Sequence, residues 1–392
     1  MPRPSTWGPI DLLRLTRHVS LRASMAPKTV MTIFGTRPEA IKLAPLLLEM
    51  RRAELQLHPF VCVTGQHREM LHPILDWFDV RPDRDLNLMQ TNQTLAGFAG
   101  RVLGALSTVL ETNRPDAILV QGDTTTAMMG ALAGFYHRIP VAHVEAGLRT
   151  GDFHNPFPEE VNRRMAGLTA TYHFAPTETA ATALLSEGVD ARNVFTVGNT
   201  VLDALRITLN RKQDTKAPFA SDGRRLIVVT AHRRESFGSP FESICLAIRE
   251  LIDRNENTEV VYPVHLNPNV RDPVGRHLRN HPRIHLIEPL RYEEFVLLMS
   301  RCYLILTDSG GIQEEATALG KPTLIMRNTT ERPEAIASGT AKLVGTDAKQ
   351  IVASAEQLLG DENAYRAMAN RKCPFGDGHS AQRIIDVLRQ VL

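Results

Sequence analysis

The stretch Thr307-Asp308-Ser309-Gly310-Gly311-Ile312-Gln313-Glu314-Glu315 decides how the chain is read. An apolar run, Cys302-Tyr303-Leu304-Ile305-Leu306, precedes it and reads as a buried parallel strand. A helical pattern from Ile312 to Leu319 follows, closed by Gly320. The segment is therefore a strand, a tight turn and the start of a helix. Ser309 has the chemistry of an N-cap, and Gly310 and Gly311 carry no Cβ to hold a ligand away. The first N–H groups of a helix lack intrahelical partners and sit at the positive end of its dipole. A phosphate or diphosphate suits such a turn. Glu315, about one turn further in, is placed to accept hydrogen bonds from ribose hydroxyls. Taken alone, the turn also fits an ordinary capped helix in an α/β domain, so the rest of the chain has to arbitrate.

At 392 residues the chain is long enough for two domains. A hydrophobic fraction of 43% is that of a globular protein, and a net charge of +2 points to neither nucleic acid nor a membrane surface as partner. Cys62, Cys245, Cys302 and Cys373 are widely spaced and form no C-x-x-C pair. They predict buried, reduced thiols in a cytoplasmic protein rather than a disulfide or zinc framework. No apolar run reaches the length of a membrane-spanning helix. Residues 1–27 carry Arg3, Arg14, Arg17 and Arg22 against a single acid, Asp11, without an apolar h-region. They read as a poorly ordered extension, not a secretory signal, with Met25 standing just before the first clear strand.

From Thr29 the pattern is strand, loop, helix, repeated. Thr29–Phe34 is a strand, and Gly35-Thr36-Arg37-Pro38-Glu39 turns into a helix with Pro38 in its first turn. Further strands are expected at Phe60–Thr64, Ala117–Val120, Pro140–Val144, around Phe174 and at Val194–Val197. The second half repeats the alternation at Leu226–Thr230, Glu259–Val264, Ile284–Ile287, the strand before Ser309, and Thr323–Met326. This predicts two Rossmann-like, doubly wound parallel sheets facing a cleft, one in residues 28–199 and one in 200–378. The last helix, 379–392, is free to pack back on the first of them. No G-x-G-x-x-G follows the first strand, so no nicotinamide cofactor is expected, and no compact H-E-x-x-H spacing marks a metal.

Arg37, Asp123, Glu145, His232, His265 and the Ser309 turn all fall just past the carboxyl ends of strands, where open α/β sheets bind ligands. An acid or histidine there often only caps a neighbouring helix, but six drawn from both halves predict an inter-domain cleft. The second half supplies anion handles: the Ser309 helix terminus, His232 and Arg332. The first supplies Arg37, Lys42 and three carboxylates, Asp123, Glu145 and Glu159. Cations and helix dipoles suit a diphosphate leaving group, and nearby carboxylates suit proton transfer or an oxocarbenium ion. A nucleotide-sugar enzyme fits; a hydride-transfer enzyme does not.

Phe34-Gly35-Thr36-Arg37-Pro38-Glu39-Ala40-Ile41-Lys42 resembles the opening motif of the non-hydrolysing UDP-N-acetylglucosamine 2-epimerases. Gly122–Thr126, Val144–Gly151, Ala231–Ser236, Thr307–Glu315 and Thr330–Glu334 are similar to motifs of that family in the same order, and the resemblance runs from about Thr29 to the C-terminus. It implies the two-domain architecture of B-type glycosyltransferases, interconversion of UDP-N-acetylglucosamine and UDP-N-acetylmannosamine without a cofactor, a cytoplasmic homodimer, and a product consumed in cell-envelope polysaccharide. It also implies roles. Asp123, Glu145 and Glu159 would be acid–base carboxylates, and His232 would assist the departing diphosphate. Arg37 and Lys42 would contact the phosphates or the uridine end. Ser309, Gly310, Gly311, Glu315 and Arg332 would hold UDP, with Phe295 beside the uracil. Gln66, Gln93, Arg233 and His265 resemble a second, allosteric UDP-N-acetylglucosamine site that shares Glu159. Glu69 and Asn92 depart from its pattern, where glutamine and arginine are expected. A hydrolysing relative, a B-type glycosyltransferase and a non-catalytic nucleotide-sugar sensor remain as alternatives.

Overall fold

Strand-sized apolar runs alternating with amphipathic segments leave a parallel sheet as the way to bury both. The computed structural model describes residues 27–52, 56–66, 68–211, 219 and 223–392. In the first half the elements are β1 (Lys28–Phe34), α1 (Arg37–Met50), β2 (Leu57–Val63), α2 (Arg68–Trp77), β3 (Arg84–Asp85), α3 (Leu95–Thr112), β4 (Ala117–Gln121), α4 (Thr125–Tyr136), β5 (Val141–Val144), α5 (Glu159–Thr169), β6 (Tyr172–Ala175), α6 (Glu178–Ser186) and β7 (Val194–Thr196). Helix α7 (Val201–Asn210) leads to the second half: β8 (Arg225–Thr230), α8 (Ser239–Arg254), β9 (Thr258–Pro263), α9 (Pro268–His277), β10 (Ile284–Ile287), α10 (Tyr292–Arg301), β11 (Leu304–Thr307), α11 (Gly310–Ala318), β12 (Thr323–Ile325), α12 (Pro333–Ala337) and β13 (Ala341–Leu343). Three helices finish the chain, α13 (Ala348–Gly360), α14 (Glu362–Ala369) and α15 (Ser380–Val391).

The strands form two sheets, ordered β3-β2-β1-β4-β5-β6-β7 and β10-β9-β8-β11-β12-β13, and the described ladders are parallel. The chain winds outward from β1 in one direction and from β4 in the other, and does the same from β8 and β11. Each such reversal opens a crevice at the carboxyl edge, because the two crossover helices leave on opposite faces of the sheet. The architecture is that of the B-type glycosyltransferases expected from the sequence.

Two details differ from the sequence reading. Strand β2 begins at Leu57, before Pro59, whereas the apolar run suggested a start at Phe60. Pro59 is tolerated because β3 pairs only with Cys62 and Val63, which leaves that stretch of β2 at an edge where no N–H is needed. The short strands β3 and β13 carry little apolar periodicity and were not foreseen. The proposed N-terminal extension lies outside the described residues, as does most of the polar segment after Arg211.

One apolar core joins the halves. Leu46 and Leu47 of α1, Val201 and Leu205 of α7, and Ile384, Ile385 and Leu388 of α15 share it with Val296 of α10 and Ala316 of α11. Helix α15 packs on α1, so the end of the chain returns to the first half. Asp203 on α7 accepts the backbone N–H groups of Ser380 (3.1 Å) and Ala381 (3.0 Å), which caps the start of that returning helix.

The loop after β1 depends on Gly35. A Cβ there would stand 2.1 Å from Thr64 Oγ1 and 2.8 Å from Thr126 Oγ1, whose hydroxyls pair at 2.9 Å across the β1–β4 crevice. Gly35→Ala is therefore expected to cost roughly 1–3 kcal/mol of stability by overpacking, read from its urea unfolding midpoint; an unchanged midpoint would mean that the loop yields freely.

Candidate functional site

The two switch points face one another across a cleft of about 540 Å³. Each side is built by its own loops. After β1, Thr36 precedes α1 and Glu39 folds back into the turn, where its carboxylate accepts the N–H groups of Gly35 (3.1 Å) and Thr36 (2.8 Å). Its other oxygen accepts the Thr124 hydroxyl at 2.7 Å, and Thr124 in turn caps α4 through Ala127 N–H at 2.9 Å. Glu39 thus ties the loop that carries Arg37 to the loop that carries Asp123. On the facing side, Asp308 at the end of β11 accepts the backbone N–H groups of His232 and Arg233, both at 2.7 Å. That carboxylate holds the loop after β8 against the loop after β11.

The cleft brings together the candidates from both halves. Arg37, Lys42, Asp123, Glu145 and Glu159 line it from the first half; His232, Phe295, Ser309, Gly310, Gly311, Glu315 and Arg332 line it from the second. Ser309 stands at the N-cap position of α11, but its hydroxyl makes no capping bond, contrary to the sequence reading. Of the four residues read as a second site, Arg233 and His265 line the same cleft and their neighbour His232 stacks on His265 at 5.3 Å. Gln66 and Gln93 do not line it. Gln66 accepts the Thr126 hydroxyl at 3.1 Å, and Gln93, ahead of α3, accepts from Arg101 at 2.5 Å. Asn92 is exposed beside it, with a left-handed φ of 55°, and the Glu69 side chain lies outside the described residues.

Charge is distributed unevenly in the cleft. Lys42, expected to contact the phosphates or the uridine end, pairs its ammonium with Glu145 and lies 4.0 Å from Glu314. Arg332 pairs with Glu314 and reaches Glu145 at 3.3 Å. Gln121 donates to the same Glu145 carboxylate at 2.6 Å. Arg37 has no salt bridge among the described residues, so its charge remains available to a ligand. Glu145 also occupies a left-handed backbone conformation, φ 61°, which a β-carbon makes costly and which recurs at functional sites.

These surroundings drive the acids apart. Burial would raise the proton affinity of Glu145, but Lys42 and Arg332 outweigh it and hold the group below the usual carboxylate range. Glu159 is pushed up, by burial first and by the charge of Asp123 as well. Asp123 pairs with Arg163 at 2.5 Å. Burial lowers the pKa of His232, which favours the neutral imidazole at neutral pH. Glu315 is pushed up to about 7, chiefly by burial, and its Oε1 has no hydrogen-bond partner.

Sequence reasoning missed four participants. Arg163 was visible in principle, since it stands four residues after Glu159 on α5 and therefore on the same helix face. Glu39 carried the capping-box spacing with Thr36. Gln121 and Glu314 had no local signal, because their partners lie 24 and 18 residues away in the chain.

The proton affinity of Glu315 yields a stability test. A carboxyl whose folded pKa of about 7 exceeds its ordinary 4.5 binds more protons in the folded state between those values, so it makes the fold less stable as pH rises through them. Relative to the unaltered protein, Glu315→Gln should gain stability between pH 4.5 and 7 and hold that gain above. Urea unfolding at pH 5 and pH 8 measures the difference; an equal offset at both would contradict the burial argument.

A family model described as UDP-N-acetylglucosamine 2-epimerase matches residues 49–389. The UDP-N-acetylglucosamine 2-epimerase of Salmonella typhimurium is 52% identical over 369 residues, covering 92% of this chain and 98% of the relative. The crystal structure of the Neisseria meningitidis UDP-GlcNAc 2-epimerase bound to UDP-GlcNAc superposes with a TM-score of 0.87 at 46% identity, over 92% of this chain and 100% of that one. A glycosyltransferase of kitacinnamycin, 12% identical with a TM-score of 0.65, shares the fold alone. With two switch points facing one cleft, Asp123, Glu145 and Glu159 among the carboxylates that line it, and these likenesses along almost its full length, the chain belongs to the UDP-N-acetylglucosamine 2-epimerase family.

Proposed function

We propose that this protein interconverts UDP-N-acetylglucosamine and UDP-N-acetylmannosamine by eliminating UDP and adding it back. The C2–H of the sugar has no adjacent carbonyl, so direct deprotonation is very unfavourable. In the elimination the C1–O bond breaks, its electron pair leaves with UDP, a carboxylate takes the C2 proton, and the electrons of that C–H bond form C1=C2 of 2-acetamidoglucal. On return, a carboxyl delivers a proton to the opposite face of C2 and the diphosphate oxygen bonds to C1. Nothing is oxidised or reduced, so the step needs no cofactor.

The observation that carries this reading is that one cleft holds carboxyls poised in opposite senses. Glu145 is kept ionised by its two cations, whereas burial first and Asp123 second raise the proton affinity of Glu159. One face of the sugar needs an acceptor and the other a donor, and environments that separate two proton affinities are what assigns such roles. We assign proton removal in one direction to Glu145 and delivery to the Asp123–Glu159 pair, with the roles exchanged in the reverse reaction. Arg37, the Ser309 hydroxyl, the N–H groups of Gly310 and Gly311, and neutral His232 as a hydrogen-bond donor stabilise the departing diphosphate. Glu315 and Phe295 hold the uridine, and Arg332 bridges UDP and Glu145.

We further propose that residues 28–199 and 200–378 close on the ligand as two bodies, with 379–392 carried by the first. Closure keeps water from the glycal, which favours epimerisation over hydrolysis. The cytoplasm suits both the substrate and the four free cysteines. A homodimer is supported by α5, where Val161, Met165 and Leu168 expose an apolar stripe with Leu168 86% exposed. Leu168→Asp should then shift the mass measured by light scattering from two chains to one.

Proton NMR in D₂O tests the reaction. UDP-N-acetylglucosamine should give UDP-N-acetylmannosamine with deuterium at C2. Free N-acetylmannosamine with UDP would instead mean hydrolysis, and an unchanged substrate would leave a transferase or a sensor. Glu145→Gln and Glu159→Gln should each lower kcat by about 10²–10⁴-fold with little change in UDP affinity for Glu159→Gln.

A further inference from the structure

Glu314 takes no part in the roles above, yet its carboxylate is 1% exposed at the centre of the molecule. One oxygen binds Arg332 Nε. The other accepts from Asn199 at 3.0 Å and lies 4.0 Å from the Lys42 ammonium. Arg332 is thereby bound on three sides: Nε by Glu314, Nη1 by the Glu331 carbonyl at 3.2 Å, and Nη2 by Glu145 at 3.3 Å.

Resting on the epimerase reading, we propose that Glu314 is a positioning residue, which turns the Arg332 guanidinium toward Glu145 and restrains it from closing fully on the diphosphate. The geometry supplies the reason. Lys42, Arg332, Glu145 and Glu314 make a four-membered group with two charges of each sign, buried where α1, the end of β5, α11 and the loop before α12 meet. Both carboxylates are held at both oxygens, but Glu314 is the one that holds the guanidinium at Nε while Asn199 fixes its other oxygen, so it sets the direction in which Arg332 points. Without it, Arg332 would carry a less neutralised charge beside a diphosphate site and would turn to it. Binding of UDP would strengthen in the ground state, while Glu145 would lose one of the two cations that keep it ionised and in place. Tighter binding without a matching gain in the transition state slows turnover.

This separates positioning from mere structural support, because damage to the site weakens ligand binding and turnover together. Calorimetric titration with UDP and NMR-monitored turnover of UDP-N-acetylglucosamine test it on the full chain. Glu314→Gln should lower kcat at least about tenfold while the Kd for UDP falls several-fold. A Kd that rises in step with the loss of kcat, or two unchanged constants, would overturn the inference. Glu314→Asp keeps the charge and withdraws it by one methylene, and decides the matter if the glutamine variant does not fold. It should lower kcat with UDP affinity unchanged or tighter, and an unaltered kcat would overturn the proposal. Failure of the unaltered protein to epimerise would defeat the reading of the reaction, whereas normal turnover with unaffected Glu314 variants would defeat this inference alone.

Discussion

The buried junction of Lys42 and Arg332 with Glu145 and Glu314 joins both halves of the molecule across the cleft. Such a group is a poor source of stability. Each ion taken out of water costs several kcal/mol even after relaxation, and well-packed apolar residues often serve a fold as well or better. What the junction provides is chemistry. It keeps a carboxylate charged in a low-dielectric site, and it ends the chain of contacts from α1 to α12 at a defined point. Losing one member would leave one buried charge of the opposite sign uncompensated.

The junction exists because of where the sheets reverse. Strands β1 and β4 are neighbours, as are β8 and β11, so loops far apart in the chain end side by side. Two carboxylates then lock these loops. Glu39 links the turn after β1 to the turn after β4, and Asp308 links the turn after β8 to the turn after β11. Each uses a short acid to satisfy backbone N–H groups that a tight turn would leave unpaired. His143, buried on β5, donates its Nε2–H to Gly122 O (2.7 Å) and so supports the peptide ahead of Asp123. The side chains of the cleft thus stand on a frame of polar contacts, while the apolar core behind them, shared by α1, α7 and α15, holds the halves together.

The fold was readable because its signals are local. Most strands are short apolar runs, most helix starts carry a proline, a glycine or a Thr or Asp cap, and alternation alone implies crossovers and a parallel sheet. The cleft residues were readable for the same reason: Arg37, Asp123, Glu145, His232 and Ser309 all follow strands directly. Lys42 shows where this stops. Its place near the cleft follows from the turn at Pro38, but its partner depends on Glu145, which is 103 residues away and reached only once β1 and β5 share a sheet.

The amino-acid sequence by itself determined two doubly wound sheets, a diphosphate-compatible helix terminus and a cleft stocked with acids, because each of these is encoded within a few neighbouring residues. Only the tertiary structure decided which acid has its proton affinity lowered and which has it raised. Glu145 and Glu159 are the same residue type, and what sets them apart is burial and the cations that long-range packing delivers to one of them.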